Sequence, residues 1–447
     1  MAVYDINGNI LDSLYDIQGN PLEYGYDIDG DIIFHNGDIL LSYDIYYPSE
    51  ATDSYSYSDY STFNLLPDAF LQMYYDPYVS SPPSGVTVTK SVIGRDQTDT
   101  YNVYEYDFCP TNYKRTILLS SGLHAYEISA QFGLAHFIKG IYDNQTTDEG
   151  LIYIRNNVRI KVVPILNPWG ASQFPRKYGN SRGVNPNRNW DAFDQWQSYS
   201  PPNNEWNKKG SSPFSEQETI NIANWLMANY GAEFYIDCHT GESDSQYGLW
   251  VNYGDDCKYT INGAIPAALN TQKAWFKTKF GSNPVVNNQL YSHATSYDSR
   301  ASWMTYFAGI PNFTLEFAPK NTVFGTSLSN ESADIKMYCA NISGYVQELL
   351  LYKYEEQKTE VPLTAISSEN ATIASGKVSL DASVTMTPSN STQNNFLWVS
   401  SDTSVVDVYG STENGELIKR GTGTATITVT SKVDPTITTS FTVTVES

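Results

Sequence analysis

The chain has 447 residues, room for two or three domains, and its 40% apolar and 17% charged content supports large cores rather than global disorder. Its net charge is −22, and residues 1–89 hold 14 Asp and Glu with no Lys or Arg. Binding of nucleic acid through a basic face is therefore excluded, and no apolar run approaches the roughly 20 residues of a bilayer span. The first residues, Met-Ala-Val-Tyr-Asp-Ile, lack a basic region followed by an apolar run, so no conventional secretory signal is expected. Cys109, Cys238, Cys257 and Cys339 are too few and too scattered for a disulfide scaffold or a cysteine-based zinc site.

Residues 1–45 repeat with a period of 11: Tyr4-Asp-Ile-Asn-Gly-Asn9 returns as Tyr15-Asp-Ile-Gln-Gly-Asn20 and Tyr26-Asp-Ile-Asp-Gly-Asp31. Asn-Gly and Asp-Gly between short apolar runs signal hairpin turns, which predicts a small acidic β-repeat arm. Asp27 to Asp31 resembles a calcium loop only loosely, because its Gly is misplaced, and is taken as an acidic turn. Residues 46–63, rich in Tyr, Ser and Asp, are taken as a linker.

From 64 to 358 the pattern changes. Apolar β-type runs at 116–120, 158–166, 233–238 and 313–317 alternate with helical stretches at 127–142, 215–230 and 334–353. The alternation predicts an α/β domain with a mixed central sheet and flanking helices. Ser215-Glu-Gln-Glu218 predicts a capping box at a helix start. Residues 362–447 turn to alternating Thr, Ser and Val, the pattern of a small all-β sandwich. Trp398-Val-Ser-Ser-Asp402, Ser404-Val-Val-Asp-Val408 and Gly421-Thr-Gly-Thr-Ala-Thr-Ile427 resemble bacterial Ig-like domains of group 2, which serve mostly as spacers or adhesion modules.

His124 follows an apolar run and a Gly, and Glu127 comes where the next helix begins, so an imidazole and a carboxylate can converge at a strand end. His239 ends a second apolar run. If both strands share a parallel sheet, both histidines emerge at its carboxyl edge. His136 lies half a turn out of phase with Glu127 and belongs to core or surface. His35 has no expected partner, and His293 lies in an irregular segment. Glu316 sits inside the apolar stretch Pro311-Asn-Phe-Thr-Leu-Glu-Phe317, where a carboxylate is costly unless it is paired or serves as a base.

Taken in order, His124-x-x-Glu127, Asn167-Pro-Trp-Gly170, Gly183-Val-Asn-Pro-Asn-Arg-Asn-Trp190, Pro213-Phe-Ser-Glu-Gln-Glu218, His239 and Glu316 resemble the M14 family of zinc carboxypeptidases. The resemblance implies one catalytic zinc ion on His124, Glu127 and His239, and attack of zinc-bound water with Glu316 as general base. It implies Arg176 at the developing oxyanion, with Arg182 as competitor, and Asn187 and Arg188 at the substrate's terminal carboxylate. Tyr297 is the candidate aromatic hydroxyl, and Asp298 or Arg300 would set the preference for the last side chain. Tyr126 stands where pancreatic-type members have Arg. Asn185 stands where the family has an acid that orients a zinc-bound histidine, and an amide brings no charge to that task. The implied activity is hydrolysis of a peptide bond beside a free carboxylate. The alternatives are a hydrolase of peptidoglycan stem peptides or acyl-amino acids on a wall-directed or virion-associated protein, and a non-catalytic binding module. An extracellular, cell-surface or virion-associated location is expected.

Overall fold

The computed structural model describes residues 66–142, 149–173, 176–192, 195–198, 207–240, 248–254, 285–291, 307–318, 361–391 and 393–447. It also describes isolated positions between 303 and 350 and four short strands near the start. Those strands form two antiparallel pairs, β1 (Val3–Tyr4) with β2 (Ile10–Leu11), and β3 (Tyr24–Tyr26) with β4 (Ile32–Phe34). An Asn-Gly or Asp-Gly lies inside each connection, where such turns are expected. The turn at 27–31 and the linker at 46–63 lie outside the described residues.

Eight strands build the central sheet: β5 (Val86–Arg95), β6 (Asn102–Pro110), β7 (Arg115–Ser121), β8 (Val158–Val163), β9 (Phe234–Thr240), β10 (Gly248–Gly254), β11 (Val285–Tyr291) and β12 (Asn312–Ala318). Their spatial order is β11-β10-β12-β9-β7-β8-β6-β5. Strands β12, β9, β7 and β8 run parallel, and β6 and β10 pair antiparallel with their inner neighbours, so the sheet is mixed. The middle strand β9 is buried at every position, as a near-continuous apolar run demands when both faces are covered. Strand β8 is shorter than its apolar run, which extends to 166. Pro164 has no N–H for the ladder, and the chain leaves the sheet there.

Helices α1 (Pro67–Tyr74), α2 (Asp76–Ser80), α3 (Ile128–Tyr142), α4 (Glu149–Asn157), α5 (Pro168–Ser172), α6 (Gln195–Ser198) and α7 (Gln217–Ala228) flank the sheet. Tyr338, Ile342, Tyr345, Val346 and Leu349 are all buried, and their spacing is that of one helix face. The expected capping box at 215–218 does not form. Glu216, not Ser215, occupies the N-cap of α7, and its side chain makes no cap bond. The reason is competition from outside the helix: Asn189 Nδ2 donates to Ser215 Oγ at 3.0 Å, and the Glu218 carboxylate is drawn to Asn180 Nδ2 at 2.9 Å and Gln97 N at 3.0 Å.

The C-terminal strands are β13 (Ala365–Ser367), β14 (Ala371–Ile373), β15 (Ser379–Ser383), β16 (Thr385–Thr387), β17 (Phe396–Ser400), β18 (Val406–Gly410), β19 (Asn414–Lys419), β20 (Gly423–Ser431) and β21 (Thr438–Val445). They form a four-stranded sheet, β14-β21-β20-β17, a three-stranded sheet, β15-β19-β18, and the pair β13-β16. Alternating buried and exposed positions on β17, β20 and β21 put Trp398, Ile427 and Val443 into one core, where they meet Leu417 of β19. Tyr409 and Ile418 belong instead to a core shared with Trp190, Phe214 and Trp303 of the α/β part. No helix among the described residues is long and apolar enough to cross a membrane.

Candidate metal centre and active site

Strand β7 ends at Ser121, and Gly122 follows with a φ of +70°, which turns the chain so that Leu123 enters the core and His124 reaches the carboxyl edge of the sheet. Glu127 directly precedes α3, one position before the helix rather than inside its first turn, and the helix N-terminus complements its charge. His239 lies near the end of β9, two strand positions from Asp237 and on the same face. His124, Glu127 and His239 are all buried, and each offers an atom within 4.8 Å of the others.

The ring orientations are fixed from behind. Asn185 Oδ1 accepts the Asn187 N–H at 2.8 Å, so it is an acceptor, and it lies 3.1 Å from His124 Nε2. Asp237 Oδ2 lies 2.7 Å from His239 Nε2. Both Nε2 atoms therefore carry a proton, and both Nδ1 atoms point at Glu127, at 2.7 Å and 2.9 Å from its two oxygens. The two Nδ1 atoms are 3.2 Å apart. Two donors bonded to one zinc at about 2.0–2.1 Å lie about 3.3 Å apart, so the arrangement suits one zinc ion.

Charge points the same way. Burial alone would raise the Glu127 carboxyl, but His124 and His239 outweigh it and pull it down to about 2. Burial would also depress His239, yet Asp237 and Glu127 push it up to about 10. His124 shifts the other way, because burial outweighs the help from Glu127 and holds it neutral. Two carboxylates facing two imidazoles thus favour one positive charge between them, the role a divalent cation fills.

The other expected residues are placed as follows. Parallel pairing sets Glu316 of β12 directly beside His239 of β9, half-buried next to the buried Leu315. Arg176 donates from Nη1 to Gln131 Oε1 at 3.1 Å and to the Ala125 carbonyl at 3.4 Å, next to His124. Arg182 is directed elsewhere, toward the Ser215 carbonyl at 3.4 Å and Glu216 at 3.7 Å. Asn187 and Arg188 form a 3-10 turn, Pro186–Arg188, capped by Asn185. Asn187 Oδ1 is buried and has no hydrogen-bond partner among the described residues. His136 is buried on α3 with its ring 6.1 Å from that of Tyr74. His35, His293, Tyr297, Asp298 and Arg300 lie outside the described residues.

Two residues escaped the sequence reading. Asp237 could have been found, since a carboxylate in an apolar strand two positions before a candidate ligand carries the same signal as Glu316. Tyr178 could not: its ring stacks on His124 at 3.8 Å and 18°, and its hydroxyl accepts from Asn185 Nδ2 at 3.1 Å. Both contacts exist only after folding.

Comparison with known proteins decides the family. The model of the zinc carboxypeptidase family, Peptidase_M14, matches residues 84–339. The chain belongs to that family. This zinc carboxypeptidase-family chain is 26% identical to carboxypeptidase A1 of Mus musculus over 288 residues, covering 60% of the chain and 64% of that protein. It is 28% identical to carboxypeptidase A2 of Rattus norvegicus over 158 residues, covering 32% of the chain and 36% of that protein. The chain thus spans between about a third and two thirds of the length of these relatives. The solved structure of thrombin activatable fibrinolysis inhibitor shares the fold, with a TM-score of 0.50 at 15% identity over 67% of this chain and 74% of that one.

Proposed function

We propose that the chain is a zinc-dependent carboxypeptidase that hydrolyses the peptide bond next to a free C-terminal carboxylate. The observation that carries this reading is the convergence of two Nδ1 atoms and the Glu127 carboxylate, with Glu316 set beside His239 by strand register. His124, Glu127 and His239 would hold the metal, which when bound supplies Lewis acidity toward the scissile carbonyl and acidifies water. Glu316 takes a proton from the attacking water and returns it to the departing amine. Arg176 faces the negative charge that builds on the carbonyl oxygen. Asn187 and Arg188 grip the terminal carboxylate, for which a planar, permanently charged guanidinium is suited.

The reading is tested by a mass-spectrometric digest of peptides with varied C-termini, cell-wall stem peptides included, with Glu316→Gln and chelator controls. Loss of single C-terminal residues, abolished in both controls, is the expected result. Cleavage confined to stem peptides would move the function to wall degradation. No cleavage with zinc bound would sink the carboxypeptidase activity. Arg300→Ala, assayed on peptides ending in Glu, tests whether the last side chain is read by a basic group; unchanged turnover removes that idea. The C-terminal strands are proposed to be an Ig-like module, and a surface- or particle-associated location would follow if that module anchors the enzyme.

A further inference from the structure

The segment that carries Asn187 and Arg188 has little stability of its own. A 3-10 turn of three residues cannot hold its position unaided, so the flanking contacts must do it. Just beyond it, Trp190 is fully buried and packs 5.0 Å from Trp303 and 5.5 Å from Phe214. Asp191 is fully buried as well. Its Oδ1 accepts the Trp196 N–H at 2.8 Å, and its Oδ2 accepts the hydroxyl of Ser379, which belongs to the C-terminal strands.

A second grip lies beside the first. Tyr409 of β18 stacks on Phe214 at 4.8 Å and 13°, and meets Trp303 edge-on at 5.8 Å. Aromatic pairs in these geometries are attractive beyond their buried area. A third lies at the approach to β12. Ser411 donates its N–H at 2.9 Å and its hydroxyl at 2.8 Å to the Phe307 carbonyl. Gly309 has φ +68°, and a Cβ there would come within 2.7 Å of Thr412 Cγ2, so the two segments meet as closely as a glycine allows. The C-terminal strands thus hold the chain on both sides of the site: after Asn187–Arg188, and before the strand that bears Glu316.

We propose that the C-terminal strands are a positioning wall of the substrate site, with Ser379 holding Asp191 directly and Tyr409 holding Trp190 through Phe214 and Trp303, and through both the Asn187–Arg188 turn. The proposal rests on the carboxypeptidase reading for what that turn binds. It makes the C-terminal strands part of the enzyme body, in contrast to a tethered accessory whose loss of contact would leave the site unchanged. A displacement of about 1 Å in a substrate-gripping group is enough to weaken binding or catalysis many-fold.

The test uses the full chain with Ser379→Ala, Tyr409→Ala and the conservative Tyr409→Phe, assayed on benzoyl-glycyl-phenylalanine and by amide hydrogen exchange. The expected result for both alanine variants is a KM raised roughly 10-fold with kcat within about two-fold. Faster exchange at the amides of residues 187–191 should accompany it, while Tyr409→Phe, which keeps the stacked ring, should resemble the wild type. Unchanged KM and unchanged exchange in folded alanine variants would overturn the proposal. So would a parallel loss of kcat, zinc affinity and protection throughout the central sheet, which would mean only that bulk stability had fallen. If the wild type cleaves no peptide, the functional reading fails, and the exchange measurement still decides whether the C-terminal strands hold this segment.

Discussion

Glu127 stays ionised in a buried place because two imidazoles face it, and each imidazole is turned toward it by a partner behind the ring. The two partners are unequal. Asp237 brings a charge to His239, and Asn185 brings only a dipole to His124. Asp237→Asn should therefore weaken zinc binding about 10- to 100-fold, and Asn185→Asp should tighten it, both measured by competition against a chromophoric chelator. Equal affinities across the three proteins would show that these partners do not tune the metal. Glu316→Gln removes the proposed base and leaves the candidate ligands His124, Glu127 and His239 in place. Its kcat/KM should fall by at least about 100-fold while zinc stoichiometry stays at one per chain, read by steady-state kinetics and metal analysis.

At the scale of elements, the site depends on how closely a helix approaches the sheet. Gly133 lies on α3, and a Cβ there would meet Tyr338 Cδ1 at 2.4 Å. The absent side chain lets Tyr338 sink to the sheet, where its hydroxyl lies 2.5 Å from the His239 carbonyl and 2.9 Å from that of Leu315. One ring thus ties the strand of the metal-ligand candidate to the strand of Glu316. Gly133→Ala should destabilise the fold by about 1–3 kcal/mol in urea unfolding, the usual cost of overpacking. A variant as stable as the wild type would mean that Tyr338 can shift freely.

At the scale of the whole molecule, the seam between the α/β part and the C-terminal strands contains a buried acid. Glu416 is fully buried on β19, directly across from Asp381 on β15 and Tyr409 on β18, and it also faces Asp191. Burial pushes its carboxyl well above the ordinary range, and the like charges of Asp191 and Asp381 push it further. A carboxyl with a raised folded pKa contributes fully below its unfolded value, about 4.3, and that contribution is lost as pH rises through the folded value. Glu416→Gln keeps the shape of the protonated acid and removes the titration. Its melting temperature should climb relative to the wild type as pH rises above the unfolded value of about 4.3. A difference that does not change with pH would show that Glu416 is not the group responsible.

The mixed α/β fold and the family were legible in the chain because they rest on local signals: apolar runs of strand length, helical spacing, and His, Glu and Arg at ordered intervals. The strand of Glu316 stood out because a lone carboxylate in an apolar run breaks the pattern, and the same signal at Asp237 was present and passed over. Other features had no local trace. Ser215 to Glu218 has the residues of a capping box, but Asn189 takes the Ser215 hydroxyl and Asn180 and Gln97 take the Glu218 carboxylate, all from positions distant in sequence. Tyr178 on His124, Tyr338 on the two strands, Ser379 on Asp191 and Tyr409 on Phe214 and Trp303 are contacts between residues far apart in the chain. Sequence by itself determined the family and which elements bear its motif residues, since both follow from residue type and spacing. Only the tertiary structure decided their orientation and their support, because those depend on which distant backbone or ring fills the space behind each group.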